Sequence, residues 1–297
     1  MRITAATIYR ESTLALERTS ERLLEFQRQV ASGRRLARPS DDPSAAATSI
    51  SERGRLGGVE QYSRTADSVV ARLSVVDSAL SDVIDRLTQA QATVVSAQGS
   101  GKTPAEHEAA AQTLEGVKDA ILADLNTVFR GTHVFAGADA GTAPFAVAAD
   151  GTVSAYQGSP LEIGVDIGER RQVIIGFDGS AIAGTAGVDV FGALDSAIAA
   201  ARAGDGDLLQ QALVDLGAAF ERATAAQTRV GTSLAEIDAQ RVQLSDRRLA
   251  GLTRLSALED ANLAEAITGM TQADAAYRAA LGATGRTTQL SLMDYLR

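Results

Sequence analysis

The chain has 297 residues, no cysteine, 45% hydrophobic but only 4% aromatic residues, and a net charge of −9. Disulfides and thiolate metal sites are therefore excluded, long Ala- and Leu-rich helices suit the composition better than an aromatic-rich core, and the acidic balance argues against nucleic acid as a partner. No apolar run of about 18 residues exists, so no membrane span is expected. The opening residues carry no signal-peptide-like run, so the chain is expected either to stay in the cytoplasm or to leave by a route that reads no cleaved signal.

The first helix is predicted over residues 4–32, with Tyr9, Ser12, Leu16, Thr19, Leu23, Phe26 and Val30 on one face. Three of those seven positions are polar, and a helix with so weak a stripe is marginal alone. Its arginines alternate with acids (Glu17, Arg18, Glu21, Arg22, Glu25, Arg28), the pattern of a solvated or subunit-facing helix. Gly33 ends it. A basic connector follows, Arg34-Arg35-Leu36-Ala37-Arg38, then Pro39 as a second stop, with Asp41 beside Asp42. Asp42 caps the next helix and Pro43 takes its first position, where a missing N–H costs nothing.

That second helix is expected to break or bend near Gly54 and Gly57-Gly58. It then carries an unbroken apolar seam at alternating spacings of three and four: Val59, Tyr62, Ala66, Val69, Leu73, Val76, Leu80, Val83, Leu87, Ala90, Val94, Ala97. At 1.5 Å per residue the seam is about 58 Å long, and it needs another helix to cover it. Gly99-Ser100-Gly101 ends it. A third helix opens on a Thr103–Glu106 capping box with Pro104 inside it, and its face is Leu114, Val117, Ile121, Leu125 and Val128.

From residue 131 the character changes, with eleven glycines by residue 190. β-like runs fall at His133-Val134-Phe135, at 144–147, 152–157, 161–167 and 172–177, with Asp150-Gly151 as a hairpin turn. Helical pattern returns near Val190, on Phe191, Leu194 and Ile198. After Gly204-Asp205-Gly206 a long helix is predicted on Leu213, Leu216, Phe220, Ala223, Gln227, Val230, Leu234, Ile237, Arg241 and Leu244, suited to covering the long seam. Loss of the stripe around Arg247, Arg248 and Gly251 marks a second joint. A last stripe follows on Leu255, Leu258, Leu263, Ile267, Met270, Tyr277 and Leu281.

Nothing in this order reads as catalytic. His107 and His133 have no companion ligands at metal spacing. Gly101-Lys102-Thr103 lacks the upstream glycine and the strand of a phosphate-binding loop. No cofactor is expected and no enzyme. The fold class is mainly α: N- and C-terminal helices paired in an elongated coiled-coil or helical bundle, with a small β-rich insertion in mid-chain. Three regions are expected: 1–42 with 255–297, 43–130 with 190–254, and the insertion 131–189.

The stretch Ser32-Gly33-Arg34-Arg35-Leu36-Ala37-Arg38-Pro39-Ser40-Asp41-Asp42-Pro43 resembles the joint motif of the flagellin-like proteins of the bacterial flagellum. Pro43, in place of the usual Ala, is similar to the hook-associated, junction-forming members. So are the opening Met1-Arg2-Ile3-Thr4, the block Val134-Phe135-Ala136-Gly137 with Pro144-Phe145 and Tyr156-Gln157-Gly158, and the ending Ser291-Leu292-Met293-Asp294-Tyr295-Leu296. The resemblance implies a secreted structural subunit of the hook–filament junction, exported by the flagellar type III apparatus without signal cleavage. It implies terminal helices that assemble as a coiled coil and an insertion that faces outward. It also implies self-association in a helical ring, contacts with a neighbouring hook-associated protein and with flagellin, and an export chaperone, with no nucleic acid and no membrane. Leu16, Leu23, Phe26, Leu263, Ile267, Met270 and Leu281 are the expected assembly residues, and Gly33, Pro39, Asp41, Asp42 and Pro43 the joint. The alternatives are flagellin itself, a helical enzyme, and a cytoplasmic coiled-coil scaffold. Pro43, the Val134–Gly137 block and Asp294-Tyr295 weigh against flagellin.

Overall fold

Seven helices and two small antiparallel sheets are described in the computed structural model, which covers residues 5–99, 101–148, 151–184 and 189–295. Residues 1–4, Ser100, Asp150 and Leu296 lie outside the described residues, as do the side chains of Tyr9 and of 287–295. The fold is mainly α, as the sequence implies. Helix α1 is Ala5–Ser32, α2 Pro43–Ala97, α3 Pro104–Leu125, α4 Gly179–Ala183, α5 Val190–Ala203, α6 Gly206–Glu259 and α7 Leu263–Tyr295. Strands β1 (Val128–Phe129) and β2 (Thr132–His133) form one hairpin, and β3 (Ile163–Gly168) and β4 (Arg171–Gly176) the other.

The chain divides into two compact units. Unit 1 holds residues 1–58 and 246–297, and unit 2 holds 59–245. Neither of the two places expected to interrupt a helix holds a break. Helix α2 continues through Gly54 and Gly57-Gly58, and α6 through Arg247, Arg248 and Gly251, while the division between the two units falls at both, after Gly58 and before Asp246. A glycine in a helix costs only about 1 kcal/mol against alanine, which a long packed helix absorbs. Gly251 has a packing reason to be there, because a Cβ on it would sit 2.6 Å from the Leu56 side chain. The second joint falls instead at Asp260-Ala261-Asn262, where the Asn262 side chain accepts from Ala264 N–H at 3.2 Å and opens α7.

In unit 2 the long seam is buried as read. Ala66, Leu73, Val76, Leu80, Ala90 and Val94 are fully covered, Val69, Val83, Leu87 and Ala97 nearly so, and Val59 and Tyr62 at its start are half-buried. On α6, Leu209, Ala212, Leu216, Ala219, Ala223, Val230 and Ile237 are buried in the same apolar core as the seam, Leu244 is buried too, and buried Gln240 lies against Gly168. At three of its ten positions the predicted α6 stripe is shifted by one, with Ala212 buried in place of Leu213. Ala219 and Gln240 are buried, while Phe220 is half-buried and Arg241 is exposed. Arg241 pairs with Asp67 of α2 at 2.9 Å. Helices α3 and α5 pack together, tied by Lys118–Asp195 at 2.8 Å and by Arg202 to Glu108 and Glu115 at 3.2 and 2.7 Å. The capping box of Thr103 and Glu106 is present at the start of α3.

The insertion is less sheet-like than its β-prone runs suggest. Among the described residues of 144–157 there is no strand, only an antiparallel bridge between Val147 and Val153. Helix α3 stops at Leu125, which places Val128 in β1, exposed rather than on the helix face. Asn126 enforces that stop. Its side chain both donates to Phe145 O (2.8 Å) and accepts from Phe145 N–H (3.1 Å), and its carbonyl pairs with His133 Nδ1 at 3.0 Å. The segment packs through aromatics, with Phe145 against Tyr156 and Phe191 at centroid distances of 5.6 and 5.3 Å. Burial raises the Tyr156 hydroxyl to about 12, so at neutral pH it stays a donor, placed 3.1 Å from Phe135 O and from Ser159 O. Gly137, with φ +58°, passes so close to the Ser159 carbonyl that no Cβ fits.

Arginine straps hold these loops to the helices. From α2, Arg72 donates to Ile175 O at 2.8 Å, Thr132 Oγ1 at 3.0 Å and His133 O at 3.4 Å, spanning both hairpins. Arg72→Met keeps the stem and strands those acceptors, at about 1–3 kcal/mol. Hydrogen exchange of β2 and β4 is expected to speed about tenfold or more while the α2 seam is unchanged. Unaltered exchange in both hairpins would refute the strap.

Candidate assembly surface and joint

Helices α1 and α7 pack on each other within unit 1. The α1 face is Leu16, Thr19, Leu23, Phe26 and Val30, all half-buried. The α7 face is made of smaller residues than the sequence suggests: Ala266 and Ala273 are buried, Gly269, Met270 and Tyr277 half-buried. The pairing is antiparallel. Phe26 lies over Gly269, where a Cβ would sit 2.5 Å from the ring, and the adjoining groove runs from Thr19 and Arg22 to Gln272, Ala273 and Ala276. Of the expected assembly residues, Leu16, Leu23, Phe26 and Met270 are thus brought together on this seam. Leu263, Ile267 and Leu281 are not, being 50%, 47% and 45% exposed. They sit one position off the alanine row, so α7 offers a second apolar stripe beside the first. On α1, Leu14 and Leu24 are exposed as well, at 43% and 54%.

The joint lies where the segment after α1 meets the segment before α7. Gly33 adopts φ +68° and its N–H closes the last turn of α1 on Gln29 O at 2.9 Å. Its carbonyl accepts from Ala261 N–H at 2.9 Å, while Arg35 and Leu36 N–H donate to Glu259 O at 2.7 and 3.2 Å. Arg34 and Asp260 form an antiparallel bridge. The break after α1 is therefore hydrogen-bonded directly to the break before α7. Asp41 Oδ2 accepts from Ala37 and Arg38 N–H at 3.2 and 2.8 Å, which folds the basic connector back on itself. Asp42 Oδ1 accepts from Ser44 N–H, Ser44 Oγ and Ala45 N–H, at 3.2, 2.7 and 3.0 Å, and caps α2. Those bonds hold its carboxyl below the usual aspartate range. Pro43 follows as the first helical residue, and Pro39 is exposed in the connector.

Beside the joint stands a group that the sequence reading passed over. Glu52 and Glu259 are each 5% exposed at the side chain or nearly so, and Ser49 is buried with them. Arg53 binds Glu259 through two bonds of 3.0 and 2.6 Å, and Ser49 donates to the same carboxylate. Arg254 and Arg55 bind Glu52. A signal was available: stepping back from Val59 by three and four gives Leu56, Glu52, Ser49 and Ala45, so an acid occupies a seam position. Among the described residues no group of three metal-ligating side chains occurs, and no helix is long and apolar enough to cross a membrane.

Residues 5–140 match the bacterial flagellin N-terminal helical region. Flagellar hook-associated protein 3 of Escherichia coli is 25% identical, over 94% of this chain and 96% of its own length. The Salmonella typhimurium protein of the same name is 25% identical over 61% of this chain and 56% of its own. Two solved structures share the fold. FlgL of Xanthomonas campestris has a TM-score of 0.62 at 18% identity, covering 69% of this chain and 99% of that one. The flagellar junction protein FlgL of Legionella pneumophila has a TM-score of 0.60 at 11% identity, covering 73% and 100%. The chain is thus similar to a flagellin N-terminal region at its head and to hook-associated protein 3 along nearly its whole length.

Proposed function

We propose that this protein is a structural subunit of the bacterial flagellum, acting as the adaptor between the hook-side associated protein and the flagellin filament. The likeness to hook-associated protein 3 over 94% of the chain carries the reading. A structural role, with no reaction to perform, fits a chain whose polar clusters are spent on caps, straps and the joint. Export through the flagellar type III apparatus without signal cleavage, self-association in a ring, and an export chaperone belong to the same proposal. The exposed stripe of Leu263, Ile267 and Leu281 is where assembly would bury apolar surface, and Leu16, Leu23, Phe26 and Met270 hold the pair of helices that presents it. The regions proposed to divide this work are 1–42 with 255–297 for assembly, 43–130 with 190–254 as helical support, and 131–189 as the outer insertion.

A strain lacking the gene tests it. Hooks without filaments and flagellin shed into the medium are expected, with motility restored by the intact gene. In the parent strain, an antibody to the insertion is expected to label a single point at the base of each filament. Label along the whole filament, or normal filaments in the deletion strain, would overturn the adaptor reading.

A further inference from the structure

The α2 seam changes chemistry inside unit 1. Its positions Glu52 and Ser49 are as buried as the valines and leucines further along the helix, and α6 meets them with a buried Glu259. Each acid is answered by an arginine from the other helix: Arg254 of α6 reaches Glu52, and Arg53 of α2 grips Glu259. The two arginines are 59% and 52% exposed at the side chain. Neutralising either acid therefore returns its arginine to water while the helices lose their tie. An apolar seam has no such release, because burying Leu or Val does not depend on pH.

We propose that Ser49, Glu52, Arg53, Arg254 and Glu259 form an acid-released electrostatic latch, which holds α2 to α6 in unit 1 and opens there while unit 2 stays folded. The charged groups facing Glu52 are Arg254 and Arg55; those facing Glu259 are Arg53 and, further off, Arg34. Hydrogen bonds, from Arg254 at Glu52 and from Arg53 at Glu259, hold both carboxyls below their ordinary 4.5. A carboxyl whose folded value is depressed gives its full stabilisation above its unfolded value and loses it as pH falls through the folded one. The latch is thus closed at neutral pH and opens below about 4.5. Because the Arg35 and Leu36 N–H groups bond the carbonyl of Glu259, release also frees the connector between α1 and α2.

Hydrogen exchange read by mass spectrometry on the full chain at pH 7 tests this with E52Q/E259Q, which imitates protonation. Amides of residues 46–58 and 246–259 are expected to exchange at least tenfold faster, those of 69–97 and 212–244 at the parent rate. In thermal scans between pH 7 and 3.5, the parent's first transition is expected to fall with pH and the variant's to stay flat. A charge exchange keeps the test sharp if the neutral variant is too loose: E259R alone is expected to open the segment, and R53E/E259R to reclose it. Equal acceleration in both units, no acceleration in either, a parent-like pH slope in E52Q/E259Q, or no recovery on exchange would each overturn the latch.

Discussion

Leu80→Ala is expected to cost unit 2 about 2–5 kcal/mol, measured by urea unfolding followed by far-UV circular dichroism. Leu80 is fully covered near the middle of the seam, with Val76 and Val83 on the neighbouring turns also buried. Removing its side chain loses both the transfer energy and the contacts around the void, because long helices fixed along their length cannot collapse into a local gap. The matched control is Val95→Ala. Val95 is 54% exposed on the same helix and in the same unit, and its truncation is expected to stay within about 0.5 kcal/mol. Equal effects at the two positions would mean that the seam does not carry the stability of unit 2.

The seam was legible because apolar residues at strict three-and-four spacing have one geometric explanation, a helix covered along one side. Where large residues mark the buried face, as from Ala66 to Ala97, pattern and burial agree. On α7 they part company. The buried row is Ala266 and Ala273, with Gly269 beside it, while Leu263, Ile267 and Leu281 look outward. Reading by hydrophobic size therefore selects the wrong row of the helix for packing within the chain, since close helix approach there uses small residues. The shift along α6 has the same origin: Ala219 is a better fit than Phe220 to a tight interface, and buried Gln240 has no hydrophobic signature at all.

The joints were legible unequally for a related reason. Gly33 and Asp42-Pro43 are local signals, a left-handed stop and a cap, and they depend on a few neighbouring residues. The second joint has no such marker at Arg247 or Gly251, because a glycine in a packed helix need not break it. Its position is decided by partners distant in sequence, the bonds from Ala261 to Gly33 and from Arg35 to Glu259. The Val134–Gly137, Phe145 and Tyr156–Gly158 block was recognisable as a motif before its physics was. Its members turn out to be one packing unit, in which the Tyr156 hydroxyl and the glycines at 137 and 158 sit against backbone carbonyls that leave no room for a Cβ.

Gly269→Leu is expected to separate α1 from α7. A Cβ alone would stand 2.5 Å from the Phe26 ring, and a leucine needs the space the ring occupies. Overpacking of this kind costs about 1–3 kcal/mol, which matters more here than in unit 2, because α1 carries a weak stripe and a single helix gains little stability on its own. Hydrogen exchange is expected to lose protection across α1 and the first turns of α7, with the α2 seam from Leu73 to Val94 unaffected. In the cell, Gly269→Leu is expected to give the deletion phenotype, with flagellin shed and hooks bare. Phe26→Ala in the same chain vacates the ring's volume and is expected to recover much of the protection, a coupling that independent effects at the two sites would not produce. Should the double variant prove as unprotected as Gly269→Leu alone, the contact between Phe26 and Gly269 would not be what holds the terminal helices together.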